Sequence, residues 1–529
     1  MTAVAISNPT FFVRKPSLIL VMSAFLLFTY LFFLNPYLDV CGFNAHDPAG
    51  YISRAISLSH GKGYVEEFAD TTLPVTVQPI LFSLLLVPVL VTFGTNFFAL
   101  KLFMVFLAGF FATSLYWFFS YFLSSYKKAA LATLLMMASP VIFGLSHRVL
   151  ADLTLFIFST LALWALDRYL NASSSSFPMS LLFFSGLMTG LGYLTKQTAV
   201  GVIGGGWTLL LHPRFRNRRT FIKLVAYSAI CSVFMGVWHL WDAAVPDNLW
   251  YWTTPQSRDF IWKNPFDSSY GLISLSEFVV RVRHNIVWGM SNNLATIIFT
   301  PFYFMEGSLA GFLISLPLVI WLMWQWGRSF VQNPSVLEGF VFFSVTLMLV
   351  KHLGMAARYM ALVYPALLVY AFRGLGSFQG KLQNAVWRFL IVVGISSTLI
   401  SAVAQWKNPY GSTTLRDYVA AAYQAKTLLP QESKCAAPLL THWQVATGHK
   451  CFWFRSGELS TYLSSTSPTY VVALSDKAPR DMNRFQDVEL DALRDALRTA
   501  ALVERNLQHF EKIFQNGTFA IYKVVNKNG

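Results

Sequence analysis

Charge is what this sequence has least of. Asp, Glu, Lys and Arg make up 12% of its 529 residues, about half the share of an average soluble domain. That scarcity excludes a solvated multidomain enzyme of this length. Acids are rarer than bases, 25 against 40, which leaves a formal charge of +15. A basic balance invites a nucleic-acid partner, but the bases gather in short loops between apolar runs, as in RFRNRR at 214–219. No nucleic acid is expected. Cysteine is nearly absent: Cys41, Cys231, Cys435 and Cys451 are the whole set, and none has CxxC spacing, which removes zinc ribbons and dithiol redox motifs. There is no internal repeat, and the only low-complexity stretch is Ser173–Ser176.

What is present is apolar: 55% hydrophobic residues, 16% aromatic. Runs of about 18 residues or more recur, the length that crosses a hydrocarbon core. The fold class expected is an α-helical polytopic membrane protein with about eleven spans, or up to about thirteen if two weak segments cross. The spans are expected near 17–38, 97–122, 129–145, 150–168, 179–195, 197–212, 221–241, 308–327, 336–352, 357–373 and 386–404. The first follows Arg14 and Lys15 and lacks a small-residue cleavage site, so it reads as an uncleaved helix. The weak segments are 79–94 and 286–305, both interrupted by prolines or polar residues. Lys and Arg collect in cytoplasmic loops. That rule puts RFRNRR inside, the N-terminus inside, and 79–94 along or dipping into the outer interface. Residues 1–404 then form a transmembrane domain with outer loops at 39–96 and 242–307. Beyond 404 the pattern changes to short strands alternating with helices, a small extracytoplasmic α/β domain over 405–529. Strands are expected in CAAPLL, PTYVVAL and GTFAIYKVV, and helices over 415–429 and 488–502. On the outside, Cys435 and Cys451 are candidates for a disulfide.

The loop 39–78 carries Asp39, His46, Asp47, Arg54, Glu66, Glu67 and Asp70 in a chain poor in charge. A polar loop this long is more often functional than a passive connector. In the same topology His147, Arg148, Asp152, Lys196, Arg358 and Tyr359 stand at outer span ends. An ionisable group at a helix centre costs about 2.5–3.5 kcal/mol by insertion scales, so several turns each carrying one ask for a reason. Transfer from a lipid-linked phosphate ester supplies it. Lys196 and Arg358 would neutralise the leaving phosphate. Asp47 would act as base on the acceptor. Asp152 would orient the acceptor, or share a divalent cation (Mg, Mn or Zn) with Asp47 and His46 or His147. Plainer readings stand beside each. Asp47 before Pro48 suits a helix cap, Asp152 suits an ion pair with Arg148, and Lys196 and Arg358 suit snorkelling. The two histidines suit structural roles, and Glu66 and Glu67 suit solvated loop charges.

The loop also resembles a known family. Asp47 with Tyr51 four residues on, Ala55 and Leu58, then Gly61, Gly63 and Tyr64, and the proline-led segment Pro79 to Gly94 are similar to the first outer loop of the C-superfamily (GT-C) polytopic glycosyltransferases. Within them the branch of protein O-mannosyltransferases and the lipid A aminoarabinose transferase is the most similar. Thr195-Lys196 after GLGYL, and Arg358-Tyr359 before Pro365, resemble that branch too. The resemblance implies a polyprenyl-phosphate sugar donor, an outer-face site, inversion at the anomeric carbon, and a lipid, glycan or protein acceptor. It implies catalytic roles for Asp47 and Asp152. The substrate-binding set expected is Tyr51, His147, Lys196, Arg358 and Tyr359, with His46 and Asp47 as the metal candidates. Pro48 stands where many relatives have Glu, which leaves subfamily and acceptor open. A lipid-linked glycan flippase and a glycan polymerase or ligase are the alternatives. A bacterial inner membrane is the expected location.

Overall fold

A computed structural model describes residues 29–34, 46–68, 72–76, 78–172, 178–245, 258–263, 271–289, 309–351, 357–375, 413–437, 440–451, 469–475 and 509–525, with single helical positions between 385 and 503. Most of the expected spans 17–38 and 386–404, the rest of 286–305, the helix at 488–502 and the 404–405 domain boundary lie outside the described residues.

Three described helices are long and apolar enough to cross a membrane: Phe97–Leu123, Asp152–Asn171 and Arg218–Ala244. Asn96 starts the first by accepting from Ala99 N at 3.2 Å, and Asn217 starts the third by accepting from Thr220 N at 2.9 Å. Both bonds satisfy amides that the helix itself leaves open. The expected single span 129–145 is instead two helices, Tyr126–Met137 and Pro140–Ser146, bent by 68°. Pro140 is the reason. It pushes Ser139 into the extended region (φ −68°, ψ 133°), where a helix cannot continue. The expected span 357–373 is also two helices, Ala357–Met360 and Tyr364–Leu375, joined by a turn at 361–363. Met179–Thr195, Gln197–Leu211 and Val336–Val350 are shorter apolar helices, and Leu309–Gln332 adds a long one. The count of eleven is therefore not reproduced among the described residues.

The Val200–Thr208 helix crosses Val336–Val350 at a backbone contact. A Cβ on Gly339 would lie 2.1 Å from Gly205 O, and one on Gly205 would lie 2.6 Å from Phe340 Cα. Only glycines permit this approach, the usual device where lipid supplies no hydrophobic drive between helices.

The loop expected on the outer face contains the helix His46–Ser59, hereafter the loop helix. It ends in a tight reversal: Lys62 N bonds Ser57 O at 3.0 Å and Gly61 N bonds Leu58 O at 3.0 Å, with Gly61 at φ 71°. This is the left-handed stop that glycine favours. It sends the chain back into strand β1 (Val65–Glu67), which pairs antiparallel with β2 (Thr72–Pro74). The helix Leu81–Phe93 follows. Its 13 residues rise about 20 Å, well short of a bilayer core.

The C-terminal region is a mixed sheet of order β4-β3-β5-β7-β6, made of Lys450–Cys451, Lys434–Ala436, Tyr470–Leu474, Phe519–Val524 and Phe510–Gln515. Helices Thr413–Leu428 and Leu440–Thr447 pack on it. Cys435 and Cys451 are register partners on parallel strands, yet both are free thiols and buried, which corrects the expected disulfide. Register brings the two strands side by side, and hydrogen bonding rather than sulfur holds them.

Candidate active site

Asp47 sits in the first turn of the loop helix. Its Oδ2 accepts from Arg358 Nη1 at 2.8 Å, and its Oδ1 accepts from Gln78 Nε2 at 2.7 Å. The carboxylate thus reaches across the loop and does more than cap its own helix. Burial pushes its carboxyl up, but Arg358 first, then Lys196 and Arg54, outweigh that and hold it below the ordinary carboxylate range. Asp47 is ionised at neutral pH.

Asp152 opens the Asp152–Asn171 helix and is buried. Its partner is Lys196, Nζ to Oδ1 2.7 Å, rather than Arg148 one turn back. Lys196 is itself 7% exposed, so it points into the protein instead of snorkelling outward. It lies at the C-terminal end of Met179–Thr195, in extended backbone that turns its side chain away from that helix.

Tyr359 is the hub that joins the two carboxylate pairs. Lys196 Nζ lies 4.8 Å from its ring centre, Arg358 Cζ 4.9 Å and Lys351 Nζ 5.1 Å. Arg358 Nη2 also donates to the Tyr359 hydroxyl at 3.1 Å. A ring face bearing three cations is a cation–π cluster, and it lines the cations up on one side chain. Tyr51, one turn after Asp47, is buried with its ring edge-on to Phe82 at 4.9 Å.

Sequence reasoning missed the support beneath Asp47. Arg54 and Glu66 are both fully buried, and Arg54 Nε meets Glu66 Oε1 at 3.0 Å. Glu66 is therefore no solvated loop charge. Glu67 is only partly covered, pairing with Lys62 at 2.7 Å and Lys450 at 3.5 Å. Gln78 joins Arg54 to Asp47, through Arg54 Nη1 to Gln78 Oε1 at 2.6 Å. The signal was a lone polar residue immediately before the proline that opens the apolar segment. Lys351 was missed as well; it directly follows the Val336–Val350 helix.

His147 makes two ring-nitrogen contacts away from Asp47, Lys196 and Arg358. Its Nδ1 lies 2.8 Å from Phe143 O and its Nε2 2.9 Å from Tyr30 O. Both ring nitrogens are committed to backbone carbonyls, tying the end of Pro140–Ser146 to the segment at 29–34. The side chain of His46 lies outside the described residues. Among those described, no three His, Cys, Asp or Glu side chains come together as a metal set. The donor chemistry agrees: both oxygens of Asp47 already face N–H donors, and Asp152 faces an ammonium. A dication there would meet three cations, so the residues present do not fit one.

No family model matches the chain, and no curated protein matches its sequence. Solved structures do match. ArnT from Cupriavidus metallidurans bound to undecaprenyl phosphate superposes with TM-score 0.63 at 13% identity, covering 96% of this chain and 98% of that one. The archaeal oligosaccharyltransferase AglB from Archaeoglobus fulgidus, in complex with an inhibitory peptide and a dolichol-phosphate, gives 0.56 at 12%, covering 97% of this chain and 75% of that one. This chain shares the fold of these two structures. The fold expected from the loop motif and the spans is the one found, over nearly the full length of both ArnT and this protein. At such identities the likeness speaks for architecture; what the site does must come from its own residues.

Proposed function

We propose that this protein is a membrane glycosyltransferase that moves a sugar from a polyprenyl-phosphate donor to an acceptor on the extracytoplasmic face. One observation carries the reading: two carboxylates and three cations, from four separate stretches of chain, converge around Tyr359 beside the first outer loop. The fold likeness supports it, since ArnT was solved with undecaprenyl phosphate and AglB with a dolichol-phosphate.

The site's chemistry runs as a single displacement. An acceptor hydroxyl or amine attacks the anomeric carbon, the bond from that carbon to the phosphate oxygen breaks, and the configuration inverts. The acceptor proton passes to Asp47. The bonding pair stays on the phosphate, where Arg358 and Lys196 meet the developing charge. A carboxylate that keeps its arginine is a poor base. Binding of the donor phosphate draws Arg358 away, so Asp47 gains basicity only when the leaving group is in place. Asp152 holds Lys196 in line meanwhile.

Hexose or pentose, and lipid, glycan or protein as acceptor, are not distinguished by these residues. The protein lies in a bacterial inner membrane in this reading, N-terminus inside, with 405–529 outside as a cover for the site. The exposed apolar face of Leu275–Trp288, with Val279, Val280 and Val287, suits contact with the isoprenoid chain. Asn285 on that helix donates to the Lys351 carbonyl at 2.9 Å, which ties the helix to the cation cluster. The test is transfer by the purified full chain from polyprenyl-phosphate hexoses and pentoses, read by mass spectrometry, together with envelope glycans from cells with and without the protein. Transfer that persists in Asp47→Asn would sink the reading.

A further inference from the structure

Gln78 stands between two buried charge systems and touches both. Its amide orientation follows from its partners. Arg54 can only donate and an ionised Asp47 can only accept, so Oε1 faces Arg54 Nη1 at 2.6 Å and Nε2 faces Asp47 Oδ1 at 2.7 Å. The far side of this relay is rigid. Arg54, fully buried, is held by Glu66 Oε1 at 3.0 Å and by the Tyr64 hydroxyl at 3.2 Å. Ser53 Oγ donates to the other Glu66 oxygen at 3.0 Å. The Tyr64 hydroxyl donates to Gln78 O at 2.8 Å, which fixes the backbone of the same residue. Gly50 leaves the room that this needs: a Cβ there would lie 2.3 Å from Arg54 Nη2. The other Asp47 oxygen has a different kind of partner, since Arg358 comes from a distant segment and also serves Tyr359.

We propose that Gln78 is a positioning residue for Asp47, holding Oδ1 from the locked Arg54–Glu66 pair so that Oδ2 is the oxygen that exchanges Arg358 for substrate. The proposal rests on Asp47 being the group that acts on the acceptor. A carboxylate held at one oxygen keeps its direction when its other partner leaves. Held only by Arg358, it would lose its aim at the moment the phosphate takes that arginine. A neutral amide does this without adding a charge beside the base.

The opposing reading is that Gln78 merely satisfies Arg54. Gln78→Glu separates the two. It keeps an acceptor for Arg54, and adds a charge Arg54 can match, but it removes the donor to Asp47. The added carboxylate raises the Asp47 pKa by itself, so a structural role predicts turnover that recovers to wild type as the pH is raised. A positioning role predicts kcat lower by about 100-fold, the usual consequence of a reacting group misplaced by about 1 Å, with KM for the polyprenyl-phosphate sugar within about threefold of wild type. Gln78→Met, of similar length and uncharged, removes both bonds; should the added charge prevent folding, the orientation of Asp47 in that variant is the readout. A folded variant that keeps kcat within threefold overturns the proposal. An electron cryomicroscopy structure of the full-length variant gives a readout free of activity: Asp47 should leave its single orientation, and an unmoved carboxylate overturns the proposal. If the wild type transfers no sugar from any such donor, the glycosyltransferase reading falls, and the orientation of Asp47 in the variant still decides the role of Gln78.

Discussion

Arg358 Nη1 lies 2.8 Å from Asp47 Oδ2, across 311 residues of chain. The contact joins the first outer loop to the turn ahead of Tyr364–Leu375, and either partner alone would be a buried or half-buried charge. Replacing Asp47 by Asn keeps the shape and an acceptor oxygen for Arg358. It removes the base. Transfer is expected to fall by about 10²–10⁴-fold, the range of general acid–base contributions. Elution volume and helical content in detergent should not change. Activity within tenfold of wild type would count against Asp47 as the base.

The same contact sets a dependence on pH. Arg358, Lys196 and Arg54 together hold the Asp47 carboxyl below its ordinary range. A carboxylate lowered on folding adds stability above its unfolded value, about 3.9, and that contribution is lost as pH falls through the folded value. The wild type should therefore be more stable than Asp47→Asn by a constant margin from about pH 7 to 5. The margin should shrink below about pH 4. Thermal unfolding of both proteins in one detergent at several pH values measures it. A margin that grows in acid would reverse the assigned sign.

The apolar runs made most of the helices legible, and charge placement made the site legible in outline. Asp47, Asp152, Lys196, Arg358 and Tyr359 stand out because each is costly where it is. What stayed hidden depended on pairing. Glu66 looks like any loop acid until Arg54, twelve residues earlier, is seen to fold back on it from the loop helix. Gln78 is neutral and so carries no electrostatic signature. His147 looked like a ligand because its two backbone carbonyl partners carry no mark in the sequence. Pro140 broke an expected span, and it was visible as a letter; hydropathy alone averages over it. Strand β6 was missed although Asn516-Gly517 marks its hairpin. Asn516 Oδ1 accepts from Thr518 N at 3.0 Å and Phe519 N at 2.7 Å, a turn signal.

Glu66 offers a stability test distinct from the chemistry. It is fully buried against a fully buried arginine. Removing one partner of such a pair leaves the other charge uncompensated, at about 3–5 kcal/mol. Glu66→Ala should lower the unfolding temperature sharply. Glu67→Ala should barely move it, because that side chain and its lysine partners are partly exposed and surface pairs contribute about 0–1 kcal/mol. Equal effects at the two adjacent positions would contradict the burial assigned here.

Among the described residues, two polar contacts of unequal strength tie the C-terminal region to the loop at 65–67. Gln444 Nε2 donates to Glu67 O at 2.9 Å while its Oε1 accepts from Cys451 N at 2.6 Å. One side chain thus closes strand β4 and the edge of β1 together. Lys450 reaches Glu67 at 3.5 Å, but its side chain is 57% exposed. Gln444→Ala strands two backbone groups, one of them the amide of buried Cys451, at about 1–3 kcal/mol for an unmet buried partner. Lys450→Ala removes a screened surface charge. Hydrogen exchange should therefore speed up at 65–67 and 450–451 in Gln444→Ala and hold steady in Lys450→Ala. Since the loop helix packs against Leu440–Thr447, the loosening should pass to Asp47, and kcat should fall with Gln444→Ala alone. Faster exchange without any loss of turnover would mean that the C-terminal region rests on the loop helix without helping to hold Asp47.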